Sequence, residues 1–307
     1  MYLTERNKSN ELIYLEALAK RATLTAQEEK TLKRLRRGHE GEKLYDTIFD
    51  EVGHENLNIF RDIWLKADKS LTQIDTLIIT DDILFINEIK NYSGHYKYEG
   101  NMWKIGKLQI SDDPLIQAKR SVSKLVKLFI ENKINITTDY NVICPDPYFI
   151  LTTQDDLCRT KVIKRDVMKQ YFRGLNQHQS WDRSARITEI IKNKIVSEPA
   201  YEATIDPERL TLGRQCSKCC SFSLKSHRYF TLCTDCSHKD SNKNHIHSAI
   251  KDFHILFPGE KIKIRAVRNF LNNEISDSTI KRYMGEFCLL NNKGRYATYT
   301  LRPNHTR

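Results

Sequence analysis

The stretch "QIDTLIITDDILFINEIKNYSGHY" (residues 73–96) holds two apolar, β-branched runs separated by Asp81–Asp82. Such runs, bounded by Asp, Asn and Gly, read as strands, and the double aspartate reads as the turn of a hairpin. Asp75 opens the first run, Glu88 closes the second, and Lys90 follows two residues later. Side chains alternate along a strand, so Glu88 and Lys90 share a face while Ile89 turns to the core. A hairpin of these two strands lets Asp75 and Glu88 converge. Two carboxylates and the Ile89 backbone carbonyl are the hard oxygen donors that Mg²⁺ takes. An ion held there would suit hydrolysis of a phosphodiester, with Lys90 orienting water and stabilising the developing charge. A solvated strand end with an ordinary surface ion pair carries the same Glu-x-Lys pattern, so the pattern alone is weak.

Working outward, "LNIFRDIWL" (57–65), "HYKYEGNMWKIG" (95–106) and "NVICPDPYFILTTQ" (141–154) read as further strands. Helical spacing appears in residues 10–22 and in 25–38, where Thr25 and Glu28 make a capping box and Gly38 reads as a stop. A separate helix is expected over 39–53, with Gly53 as its stop. Others are expected over 112–133, with Pro114 in the first turn, and over 165–175 and 181–196. The order predicts an α/β (α+β) fold with a mixed sheet flanked by helices.

"GEKLYDTIF", "QIDTLIIT", "LFINEIKNYSGHY", Trp103 and "DPLIQAKRSVSKL" follow one another in the order of the NERD, or nuclease-related, domain. The resemblance covers about residues 38–155 and places that part among PD-(D/E)xK nucleases, with a restriction-endonuclease-like core. It implies that Asp75, Glu88 and Lys90 are the catalytic acid, acid and lysine. It also implies that Glu42 is the acid on the first helix and Gln117 the glutamine on the helix that approaches the site. The implied cofactor is Mg²⁺ or Mn²⁺.

The chain has 307 residues, a net charge of +11 and eight cysteines. The basic balance favours a polyanionic partner, with nucleic acid, most readily DNA, first in line. No apolar run reaches the length of a membrane span and no export signal is visible, so a cytoplasmic, membrane-free protein is expected. A homodimer or a partner protein is compatible with this reading.

Five cysteines crowd into "RQCSKCCSFSLKSHRYFTLCTDCSH" (214–238). Two C-x₂-C knuckles predict a closed, structural Zn²⁺ site made by Cys216, Cys219, Cys233 and Cys236. Cys220, His227 and His238 remain open as substitutes. Lys218, Lys225, His227, Arg228 and Tyr229 could meet nucleic acid or simply face solvent.

Three helical patterns between 245 and 287, then "CLLNNKGRYATYTL" (288–301) as a hairpin, resemble a winged helix. Such a module would present Ser278, Thr279, Lys281 and Arg282 to DNA from its third helix, and Lys293 and Arg295 from its wing.

The expected division is 1–37 helical hairpin, 38–155 nuclease-like core, 156–209 helical extension and linker, 210–240 zinc ribbon and 241–307 winged helix. Two functions fit this sequence. One is a metal-dependent nuclease steered by the two C-terminal modules. The other is a non-catalytic DNA-binding or regulatory protein on a nuclease-like fold.

Overall fold

The computed structural model describes residues 1–302 except 68, 69, 204, 228, 229, 293, 295 and 296. Its described elements fall into two compact units. The first comprises Met1–Lys8 and Lys33–Glu198, and the second Ser9–Leu32 and Pro199–Arg307. These units cut the chain differently from the five-part division read from the sequence.

Helix α1 (Asn10–Arg21) belongs to the second unit, and α2 (Ala26–Val52) runs on from it into the first. The expected stop at Gly38 is therefore corrected: α2 is one helix through Gly38 and Gly41. Glycine ends a helix by adopting a left-handed conformation, and among α2's neighbours only Gly53 does so (φ +86°). The amide of Gly53 closes the helix on the Phe49 carbonyl at 3.0 Å.

In the first unit, β1 (Asn58–Ala67), β2 (Ser70–Ile79) and β3 (Ile83–Ile89) form an antiparallel meander. Strands β4 (Gly94–Glu99), β5 (Met102–Ile105) and β6 (Leu108–Ile110) turn away into a second sheet. Helix α3 (Pro114–Glu131) then leads to β7 (Thr137–Cys144), which lies parallel to β3. Strand β8 (Phe149–Thr153) completes the second sheet beside β4. Next come α4 (Asp156–Lys161), β9 (Val162–Lys164), α5 (Arg165–Leu175), α6 (Asp182–Lys192) and β10 (Ile195–Val196).

The main sheet has the order β10-β1-β2-β3-β7-β9. Residues 156–198 thus supply both of its edges. The helix expected to reach Val196 ends at Lys192, and Ile195–Val196 pairs with Trp64–Leu65 instead.

Strand β3 is covered on both faces. Leu84 and Ile86 enter one core with Leu125, Leu128 and Ile187; Phe85 and Ile89 enter the other with Tyr45, Phe49 and Phe172. This explains why the strand reads as a continuous apolar run. A polar bolt crosses the second core. Buried Asn87 donates to Tyr45 Oη at 2.7 Å and accepts from Tyr171 Oη at 2.7 Å, fixing α2 and α5 to β3.

In the second unit, β11 (Leu224–Ser226), β12 (Thr231–Cys233) and β13 (Lys239–Asp240) make a small antiparallel sheet at the cysteine cluster. Then α7 (Asn242–Leu256), α8 (Ile264–Phe270) and α9 (Asp277–Phe287) precede an antiparallel pair, β14 (Cys288–Leu290) and β15 (Tyr299–Leu301). A bridge from Ile262 to Tyr299 adds a third short segment, giving winged-helix order. Buried Arg21 of α1 pairs with Asp252 of α7 at 2.8 Å and lies over the Phe270 ring. No described helix is long and apolar enough to cross a membrane.

Candidate active site and metal centre

The acidic site forms where β2 and β3 part. Their pairing ends at Thr76–Asn87. Two residues further along β3, the Ile89 N–H donates to the Asp75 carboxylate at 2.8 Å instead of to a strand neighbour. Asp75 lies in mid-strand rather than at the start, since β2 begins at Ser70.

Just there the inward–outward alternation slips. Ile74 shares a core with Leu77 and Ile79, and on β1 Phe60 shares it with Ile63 and Leu65. Asp62, beside the slip, takes a left-handed φ of +51°. The β1–β2 register is the same on both sides of the slip, so no residue is inserted, and the break in alternation sets an acid at the parting of the strands.

Glu88 is 2% exposed, and its Oε1 lies 2.7 Å from Lys90 Nζ. Lys90 Nζ also donates to Gln117 Oε1 at 3.0 Å, from the first turn of α3. Alternation explains the grouping, because Glu88 and Lys90 face the side of the sheet on which α3 packs. Ile89, 6% exposed, sits in the opposite core.

Glu42 approaches from α2, which packs closely against the loop after β3. A Cβ on Gly41 would fall 2.3 Å from Asn91 Cβ, and Asn91 Nδ2 donates to the Arg37 carbonyl at 2.7 Å. The glycine is therefore a close-approach residue that brings Glu42 in beside Lys90's loop.

The electrostatics are those of crowded, half-buried acids. Burial, then the nearby Asp75, pushes the Glu88 carboxyl up to about 8, while Lys90 pulls the other way. Burial also raises Glu42, opposed by His39 and reinforced by Asp75. For Lys90, burial works against the charge, but Glu88 and Asp75 outweigh it and raise the ammonium overall.

Sequence reasoning missed Asp62, Arg6 and His39. Arg6 donates to the Asp75 carbonyl at 2.8 Å and to Thr76 Oγ1 at 3.1 Å, and is held by Asp46. Asp62 is raised by burial and adds to the negative field at Glu42. An acid interrupting the apolar run "NIFRDIWL" was the available signal for Asp62. Arg6 lies in a non-periodic segment that offers none.

Hard oxygen donors around a buried carboxylate suit Mg²⁺ or Mn²⁺. Glu42, Asp75 and Glu88 do not close into a tight triad. Among the described residues, the only set of three or more His, Cys, Asp or Glu with ligand atoms all within 4.8 Å of one another is the cysteine cluster.

That cluster is Cys216, Cys219, Cys233 and Cys236. Cys216 and Cys236 sulfurs lie 3.6 Å apart, and those of Cys219 and Cys233 3.5 Å. Four thiolates at the usual Zn–S distance of about 2.3 Å stand about 3.8 Å apart, so the set fits zinc. Cys220 has a different place. It takes φ +61° and closes the first knuckle by donating its amide to the Cys216 carbonyl at 3.0 Å. Ser237 (φ +58°) does the same at Cys233, at 2.9 Å. Neither His227 nor His238 joins the set.

On α9, Ser278, Lys281 and Arg282 are exposed. Thr279 is half-buried and accepts from Ser276 Oγ at 3.0 Å. Lys293 and Arg295, and Arg228 and Tyr229 of the ribbon, lie outside the described residues.

The fold and these sites define a mixed α/β protein with helix-flanked sheets and a four-cysteine cluster of zinc-ribbon type. Residues 37–145 match the family model NERD, the nuclease-related domain. The match takes in roughly a third of the chain and includes Glu42, Asp75, Glu88, Lys90 and Gln117, while the ribbon and the winged helix lie beyond it. No curated protein and no solved structure matches the chain.

Proposed function

We propose that the first unit is a metal-dependent nuclease that hydrolyses phosphodiester bonds of nucleic acid, most readily DNA. The observation that carries this reading is the buried Glu88 carboxylate, 2.7 Å from Lys90 Nζ and crowded by Asp75. Burying an acid beside a second acid costs stability, and such groups cluster where a site uses them.

Asp75, Glu88 and the Ile89 carbonyl would hold Mg²⁺ or Mn²⁺. When bound, the ion supplies Lewis-acid neutralisation of the charge that grows on the phosphate. The Lys90 ammonium, steered by Glu88 and Gln117, has a further N–H to offer the attacking water or a phosphate oxygen. Glu42, whose carboxyl burial raises above the ordinary carboxylate value, would stand beside the site as a further acid. Zn²⁺ at the four cysteines is structural, holding the ribbon that, with α9 and the wing, docks DNA. Free clustered thiols suit a reducing, cytoplasmic setting.

The second reading, a non-catalytic DNA-binding protein, is favoured by the open spacing of Glu42, Asp75 and Glu88. Cleavage assays with and without Mg²⁺ separate the two. Loss of cutting in Glu88→Ala and Lys90→Ala supports the nuclease, and cutting that survives both refutes the site.

A further inference from the structure

The loop after Lys90 is flanked by a basic strip and a bare aromatic ring. Residues 30–37, "KTLKRLRR", contain five cations and no acid. At 3.6 residues per turn, Lys33, Arg34 and Arg37 share a strip about 100° wide with Gly41. Gly41 is the point where α2 abuts Asn91, and the Arg37 carbonyl accepts from Asn91 Nδ2. The cations therefore line the helix face that runs into the loop following Lys90. Lys33 and Arg34 are exposed, and the Arg37 side chain is 48% exposed.

Arg37 also reaches Asp146, at 3.9 Å, in the turn between β7 and β8. That turn is rigidly built. Asp146 Oδ1 accepts from the Tyr148 amide at 2.8 Å, and the Tyr148 carbonyl accepts from Gly94 N–H at 3.0 Å. The Tyr148 side chain nevertheless stands in solvent, with the residue 74% exposed. A large aromatic held out on a fixed backbone, beside cations and a candidate phosphodiester site, is a stacking platform for a base.

We infer that the first unit carries its own track for a single strand of nucleic acid. Phosphates follow Lys33, Arg34 and Arg37, and an unpaired base stacks on Tyr148. Charge complementarity names the polyanion. The exposed ring favours single-stranded substrate, because a duplex keeps its bases stacked on one another. The inference rests on the reading of Asp75, Glu88 and Lys90 as a phosphodiester site.

The test is fluorescence anisotropy of the full, zinc-loaded chain with a dye-labelled single-stranded DNA, and with the matching duplex, without added Mg²⁺ or Mn²⁺. Tyr148→Ala should weaken single-strand binding about tenfold, Tyr148→Phe should keep it, and duplex binding should change less than about twofold. Replacing Lys33, Arg34 and Arg37 together by Ala should flatten the dependence of log affinity on log salt by about 2. Single-strand affinity unchanged in Tyr148→Ala, or a salt slope unchanged in the triple variant, would overturn the track. Cleavage by Glu88→Ala is read separately. Wild-type cutting that persists there refutes the site while binding still judges the track.

Discussion

At the scale of single residues the site is a balance between burial and charge. The Glu88 carboxyl is raised to about 8, against an unfolded value of about 4.3. Its contribution to stability is therefore complete below about pH 4.3 and is lost as pH rises through about 8. A divalent ion competes with that proton. Mn²⁺ should bind more weakly as pH falls below about 8, and it should raise the melting temperature more at pH 8.5 than at pH 6. Equal shifts at both values would remove Glu88 from the ligand set. Lys90→Ala should lower the cleavage rate by about 10²–10³-fold, as expected of one lost electrostatic donor. Gly41→Ala should push α2 off Asn91, costing about 1–3 kcal/mol by denaturant unfolding and weakening cleavage through a misplaced Glu42. The shared face of Glu88 and Lys90 is legible from strand alternation alone. The Asp62–Asp75 slip is not, because this break in alternation depends on two strands meeting, and a single run does not reveal its partner's phase.

At the scale of elements, the strands were readable where both faces are buried, as in β3, and the helices where a cap or a left-handed glycine marks the end. Gly38 misled because a glycine inside a well-packed helix costs only about 1 kcal/mol, which the apolar face of α2 offsets. Ile195–Val196 misled because edge pairing to β1 overrides the helical pattern that precedes it. The cysteine knuckles were legible because metal geometry fixes their spacing; the left-handed place of Cys220 needed coordinates. Two outcomes belong here. The purified chain should carry one zinc per molecule by elemental analysis, and Cys219→Ser should lose it and unfold the ribbon while leaving the first unit's melting intact. Arg21→Ala should destabilise the second unit by about 3–5 kcal/mol, since it strands buried Asp252 without its partner. Arg21→Ala melting like wild type would reduce that pair to a bystander.

At the scale of the whole molecule, the chain crosses between two units at α2, so domain order along the sequence is a poor guide to what folds with what. The sequence marks residues 1–37 as a helical hairpin without naming what it packs on; α1 packs with α7 in the second unit and buries Leu12, Leu15 and Leu18. The reason is physical: an amphipathic helix announces that it needs a partner, but not which partner. Removing residues 199–307 should therefore leave α1's apolar face bare. The truncated chain should bind a hydrophobic dye and aggregate, and polar substitutions at Leu12, Leu15 and Leu18 should relieve this. A soluble, dye-negative truncation without those changes would contradict the packing of α1.

The most direct test is cleavage. Purified wild type and Glu88→Ala would be incubated with supercoiled, linear and single-stranded DNA and with RNA, in Mg²⁺, in Mn²⁺ and without added divalent ion. A nuclease built on Asp75, Glu88 and Lys90 cuts at least one substrate only with added metal, and the variant does not. Binding without cutting on every substrate, or cutting that survives in Glu88→Ala, would contradict it.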